Sequence, residues 1–195
     1  MLRLLIGFSL LIAYPQAGGQ PIVNRHYVNT PYSTDILYEY AQASAPERQP
    51  LREGAVNCLV SSLKETGLFT DVRVTLNPLG DGQKVDLLIY PTWNPRKESF
   101  VIDEITFEGF KGTDDQQLRE NLERGGLTSG APLLQHPFPK IKTAVFDALE
   151  DIYQSTPQAE RNTKEQISDI SVRVTLAAPE RVRLIIRAGP VDVCR

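Results

Sequence analysis

The sequence predicts an α+β fold of two tandem β-α-α-β-β units, each a small mixed sheet with helices on one face. The pentapeptide Val72-Arg73-Val74-Thr75-Leu76 recurs letter for letter at residues 172–176. Each copy alternates apolar and polar residues, which is the period of a strand with one buried face. Each is preceded by an amphipathic helical stretch and followed by a turn and a second alternating run. Because this order repeats, we interpret the chain as a duplication.

Composition sets the class of protein. The 195 residues are 41% hydrophobic and 23% charged, which is typical of globular domains. The net charge is −3 and becomes −4 if residues 1–19 are removed, because Arg3 leaves with them. This balance argues against nucleic acid as a partner. After the N-terminal run, no apolar stretch approaches the roughly 20 residues that span a bilayer, so we expect membrane association only through partners.

The N-terminus has the pattern of a signal peptide. A weakly basic start is followed by an apolar run from Leu4 to Tyr14, and the small residues 17–19 follow. We expect cleavage before Gln20 and export across the inner membrane. No Cys follows this site, so a lipoprotein anchor is not expected.

The first unit is assigned to residues 20–95 and is the more degenerate of the two. Residues 20–34 are predicted to be an extended lead-in, and residues 36–40 have the pattern of a short strand. No clear first helix is visible. A helix is expected to begin near Leu51 and to end at Gly67.

The second unit is assigned to residues 96–195. A strand is predicted at residues 101–107. Thr113 and Gln116 form a capping-box pattern that predicts a helix starting at Asp114. A second helix is predicted by apolar residues at helical spacing, and a long exposed loop by the polar residues 155–167. The residues of that second apolar stripe are Ile141, Val145, Leu149 and Ile152.

The hairpins are predicted to turn at residues 77–82 and 177–180. Residues 91–95 resemble a linker. Trp93 within it is expected to fill the space between the two units rather than to bind a ligand.

No catalytic or metal-binding constellation is present in the sequence. His26 and His136 are the only histidines, and both are predicted to be solvated loop residues. No phosphate-binding glycine loop or G-x-S-x-G motif occurs. We therefore expect a protein that is not an enzyme and that uses no metal, cofactor or small-molecule substrate.

Cys58 and Cys194 are the only cysteines. The expected helix phase points Cys58 away from the core, and an exposed thiol is unusual in an oxidising compartment unless it is paired. An internal Cys58–Cys194 disulfide, a buried single thiol and an intermolecular bond all remain open.

The order of elements and several motifs resemble the POTRA (polypeptide-transport-associated) family. The segment 105–110 resembles the first strand of such a domain, and residues 125–133 resemble the stretch between its helices. Residues 63–74 resemble the passage from second helix to hairpin. The resemblance covers nearly all of the chain after residue 19, and its motifs mark the fold rather than any chemistry.

The resemblance implies a periplasmic location. Domains of this family usually stand in series ahead of an outer-membrane β-barrel that inserts or secretes proteins. The sequence departs from the family in the missing first helix of the first unit and in the polar loop after the last helix. It also ends at Arg195, with no room for a barrel, so we expect no transport by this chain alone.

A sheet covered on one face leaves strand edges to which an extended protein segment can add. The resemblance implies that the first strand lies between the second strand of the hairpin and its own partner. That order leaves the first strand of each hairpin at an edge, although the arginine within each copy is also typical of a protected edge. The candidate partner-binding residues are Val72, Arg73, Val74, Thr75, Leu76, Ser171, Val172, Arg173, Val174, Thr175 and Leu176.

The leading functional hypothesis is a periplasmic protein-binding module that is accessory to outer-membrane protein assembly or secretion. Its partners would be unfolded outer-membrane clients or an outer-membrane barrel. Two alternatives remain: an envelope scaffold or spacer, and the truncated periplasmic part of an outer-membrane barrel transporter.

Overall fold

The computed structural model describes residues 19–30, 35–110, 113–136, 138–155 and 169–189. Nearly all of the predicted signal peptide, the predicted loop after residue 155, and Cys194 lie outside these residues. The elements of the first unit are β1 Ile22–Val28, α1 Asp35–Ser44, α2 Ala55–Glu65, β2 Phe69–Leu79 and β3 Lys84–Trp93. Those of the second unit are β4 Val101–Glu108, α3 Asp115–Arg124, α4 Phe138–Ser155, β5 Ile170–Ala178 and β6 Arg181–Ala188.

Each unit contains a three-stranded mixed sheet. The strand orders are β1-β3-β2 and β4-β6-β5. The central strand pairs in parallel with the first strand of its unit and antiparallel with the strand before it. The predicted α+β fold of two β-α-α-β-β units is therefore confirmed, and the two copies of the pentapeptide occupy equivalent strands, β2 and β5.

The hydrophobic core of each unit lies between the sheet and its two helices. On β3 the alternate residues Val85, Leu87 and Ile89 are fully buried, as the alternation predicts. On α4 the side chains of Ile141 and Val145 are also buried, so the predicted second helix of the second unit is confirmed. Burial of these apolar faces supplies most of the favourable free energy of folding.

The duplication extends to irregular features of the two units. A β-bulge follows Val23 in β1 and Ile102 in β4. An isolated bridge joins Pro50 to the first residue of β1, and Pro132 makes the same bridge to the first residue of β4. Irregular details of this kind are set by local packing, so their recurrence in both units is strong evidence that one unit was duplicated.

Two predictions for the first unit are wrong. Residues 36–40 form part of helix α1, so the first helix that the sequence did not show is present, and residues 22–28 of the expected lead-in form strand β1. The buried residues of α1 include Ile36, Leu37, Tyr40 and Ala41, which make a helical stripe when the window extends past Tyr40. Inside a five-residue window, two adjacent apolar residues and a tyrosine do not distinguish a helix from a strand.

The two histidines and the capping box also need correction. His26 lies in β1 and is buried, and its Nε2 donates a hydrogen bond to the Ala45 carbonyl over 2.8 Å. His136 is half-buried after a short 3-10 turn. The N-cap of α3 is Asp114, whose carboxylate accepts from the Gln116 backbone N–H. The cap thus lies one residue after the Thr113 that the pattern indicated.

The expected place of the first strand is wrong as well. In the described part of the chain, β4 pairs with β6 alone, and β6 is the central strand. The turn of the first hairpin is also shorter than expected, because Pro78 and Leu79 still belong to β2. Both hairpin strands that carry the pentapeptide lie at sheet edges, as the resemblance implies.

Candidate functional site

The outward side of β2 follows from its register with β3. Val74 lies opposite Ile89, and the Ile89 carbonyl accepts from the backbone N–H of Asn29, on the β1 side. The backbone groups of Val74 therefore point away from β3, and those of Val72 and Leu76 do the same because the pattern alternates along an antiparallel pair. Pro78 takes the next outward position, where its missing N–H costs no ladder hydrogen bond.

This β2 edge is open over its central part. Within the described residues, no hydrogen-bond partner reaches the outward backbone groups of Val74 or Leu76. At the start of the edge, the exposed carboxylate of Asp71 lies next to Val72 in the chain. That carboxylate also lies 2.9 Å from the Lys64 ammonium, and the hydrogen bond and charge of Lys64 lower the pKa of Asp71.

The side chains of β2 leave this edge accessible. Val74 and Leu76 are half-buried and pack against the core, while Thr75 on the other face is exposed. The Arg73 guanidinium lies 4.9 Å from the ring centroid of Tyr90, on the neighbouring strand. Arg73 therefore lies back over the sheet, held by a cation–π contact, instead of extending beyond the edge.

The equivalent edge of β5 is covered at Val174. The hydroxyl of Tyr40, on α1 of the first unit, donates to the Val174 carbonyl and accepts from the Val174 N–H, each over 2.9 Å. Tyr40 is fully buried, and this burial raises the pKa of its hydroxyl. One side chain thus satisfies both backbone groups that the strand presents at Val174.

Further contacts hold the two units together around this closed edge. The Lys142 ammonium of α4 donates to both carboxylate oxygens of Glu39 on α1, over 2.8 and 2.7 Å. The guanidinium of Arg173 lies 3.5 Å from the Glu65 carboxylate. Leu176 packs so closely against Gly67 that a Cβ at that glycine would lie 2.7 Å from the Leu176 Cδ1.

The β1 and β4 edges are also covered in part by the chain itself. The backbone of Val23 bonds to Arg48 and Gln49, and that of Ile102 bonds to Gly130 and Ala131. Beyond each bulge, a side chain makes a hydrogen bond to an outward backbone group of the strand. The Glu47 carboxylate accepts from the backbone N–H of His26 over 3.0 Å, and the Arg119 guanidinium donates to the Ile105 carbonyl over 2.9 Å.

The four sheet edges therefore differ. In the part of the chain that the structure describes, three of them carry a loop or side chain on their outward backbone groups. The centre of β2, around Val74 and Leu76, carries neither. Sequence reasoning found both pentapeptide strands but could not separate the open copy from the closed one, because Tyr40 is 134 residues from Val174.

A small apolar groove of about 250 Å³ lies at the junction of the units. Trp93 lines it, together with Leu68 of the first unit and Leu133 of the second. The indole N–H donates to the Thr30 hydroxyl over 2.9 Å, and the ring packs on Phe69 at 4.6 Å. Both of these contacts are with the first unit, so a role of Trp93 in filling the space between the units stays a prediction.

The chemistry of the described residues is limited. They contain no group of three or more His, Cys, Asp or Glu side chains that could hold a metal ion, and none of their helices is long and apolar enough to cross a bilayer. Cys58 is half-buried on α2 and is disulfide-bonded. Because Cys194 lies outside the described residues, the pairing of Cys58 with Cys194 stays a prediction.

No family model matches the sequence. Among solved structures, BamA POTRA3-5 of Haemophilus influenzae matches 87% of this chain and 61% of its own, with 10% identity and a TM-score of 0.33. POTRA1-2 of the periplasmic domain of Omp85 from Anabaena matches 89% of this chain and 96% of its own, with 11% identity and a TM-score of 0.30.

A third match is CdiB from Escherichia coli. It covers 96% of this chain and 30% of its own length, with 11% identity and a TM-score of 0.27. This chain thus spans less than two thirds of the BamA fragment and of CdiB. The structures from Haemophilus influenzae and Anabaena are POTRA domains, the family that the sequence resembles.

Proposed function

We propose that this chain is a non-catalytic protein-binding module of the periplasm, accessory to outer-membrane protein assembly or secretion. Its binding element is the edge of β2, residues 72–76, to which an extended segment of a client or of an outer-membrane barrel adds as a further strand. The single observation that carries this proposal is that, among the described residues, no partner reaches the backbone groups at the centre of that edge, whereas the other three edges are covered in part. The predicted signal peptide and the sequence resemblance support the location.

Strand addition suits a partner that is not yet folded. The backbone groups of Val74 and Leu76 offer hydrogen bonds that any extended segment can complete, so affinity depends little on the client sequence. Selectivity would come from alternate client side chains that lie over the half-buried face of β2. Unfolded outer-membrane strands have this alternating character.

The test is a titration of the ¹⁵N-labelled protein with extended peptides taken from outer-membrane β-strands. We expect amide shifts concentrated on residues 72–76. Absence of shifts at millimolar peptide, with the fold intact, would refute strand addition.

A matched pair of variants makes the test specific. Val74→Pro removes one outward N–H and should abolish binding, and Pro78 shows that β2 tolerates proline at an outward position. Val74→Ile keeps the N–H and adds one methylene group, so it should bind as the wild type does. Equal binding by the two variants would contradict a role for this edge.

A spacer without a client is the second candidate function. The contacts of Tyr40 and Lys142 across the two units favour it, because they hold the units in one arrangement. A spacer predicts no peptide shifts and no difference between the two Val74 variants.

A further inference from the structure

We infer that β5 is a second strand-addition edge, which the Tyr40 hydroxyl keeps closed by taking the place of a client strand at Val174. The inference deepens the proposed function and rests on it for the identity of the occupant. The closed state itself is a property of the contacts between the two units.

The first step is the equivalence of the two edges. β2 and β5 share the sequence VRVTL, and Val74 and Val174 occupy the same place in it. Val74 lies opposite Ile89, and Val174 lies opposite Leu184. The backbone groups of these two central-strand residues point toward the first strand of their own unit, away from the edge. The hydroxyl of Thr106, on β4, donates to the Leu184 carbonyl, so this carbonyl points toward β4. The two edges therefore present equivalent outward backbone groups at Val74 and Val174.

The second step is what Tyr40 does chemically. A client strand would supply one carbonyl and one N–H to Val174, and the Tyr40 hydroxyl supplies one acceptor and one donor at 2.9 Å each. The contact is therefore a hydrogen-bonding substitute for strand pairing and not only a steric cover. The Tyr40 ring is fully buried, and this packing holds its hydroxyl in place at Val174.

The third step concerns the other contacts between the units. The described contacts beside Tyr40 include the ion pairs Lys142–Glu39 and Arg173–Glu65 and the packing of Leu176 on Gly67. The side chains of Lys142 and Glu39 are only 25% and 20% exposed, so this ion pair and the Tyr40 hydrogen bonds both hold the units together. Separation of the units would remove these contacts and uncover the backbone groups of Val174.

The experiment has two arms. In the first, amide hydrogen exchange of Val174 is measured in the wild type, in Tyr40→Phe and in Tyr38→Phe. Tyr38 lies on the same helix and is 41% exposed, so its variant is a matched control. We expect Val174 to exchange about tenfold faster in Tyr40→Phe alone, because the phenyl ring keeps the packing but removes the acceptor. Unchanged exchange would overturn the inference.

The second arm repeats the peptide titration on Tyr40→Phe combined with Lys142→Glu, which places a carboxylate opposite Glu39 so that like charges favour separation of the units. We expect shifts on residues 171–176 in addition to those on residues 72–76. Shifts on β2 alone would refute the inference that β5 is a second strand-addition edge. Faster Val174 exchange without shifts on either strand would support the closure by Tyr40 and refute only the proposed function.

Discussion

The stability of Tyr40→Phe tests the contact between the units most directly. The substitution keeps the buried ring and removes one hydroxyl that makes two hydrogen bonds to Val174, itself 1% exposed. Two neutral hydrogen bonds are worth about 1–3 kcal/mol together, and two buried groups left without partners would cost up to about 6 kcal/mol. Because water can replace part of the lost pairing at Val174, we expect a loss in the lower half of the span between these two limits, about 2–3 kcal/mol.

Chemical denaturation at neutral pH measures this loss, with Tyr38→Phe as the control. Tyr38 is a surface residue, so its variant should stay within about 0.5 kcal/mol of the wild type. A Tyr40→Phe protein that is as stable as the control would show that the hydroxyl makes no net contribution. The reasoning from the two hydrogen bonds would then be refuted.

The pH dependence of the same difference provides a second readout. Burial raises the pKa of Tyr40 above its ordinary value of about 10. Above that pH the unfolded chain loses the Tyr40 proton while the folded chain keeps it, so the contribution of Tyr40 is complete below about pH 10 and is lost as the pH rises. The slope for this one group is about 1.4 kcal/mol per pH unit. The difference between wild type and Tyr40→Phe should therefore shrink above pH 10, and a constant difference would contradict the assignment.

Three further predictions concern other parts of the chain. Asp114→Ala should cost about 1 kcal/mol in denaturation experiments, and Thr113→Ala should cost much less, because Asp114 is the N-cap of α3. Leu184→Ala should cost about 2–5 kcal/mol by the same measurement, since this central-strand side chain is fully buried. Lys64→Met should raise the pKa of Asp71 in a carboxyl NMR titration, because Lys64 is the largest cause of its lowering; an unmoved pKa would contradict that cause.

The repeat itself was visible in the sequence because strand alternation leaves a clear local trace. The pentapeptide placed two equivalent strands, and the second unit followed from helical spacing and turn residues. The first unit was harder to predict. Its α1 carries a short apolar stripe beside Tyr38 and Tyr40, and β1 contains Asn24, Arg25 and His26, so neither has a clean period.

The fold class and the repeat could be read from the sequence, whereas the edge positions of the pentapeptide strands were implied only by the family resemblance. The difference between the two edges became visible only in the folded chain. Two identical pentapeptides have the same local propensity, and their difference comes from Tyr40, which reaches Val174 from 134 residues away in the chain. A contact at that separation depends on how the two units pack against each other, and no local pattern of residues encodes it.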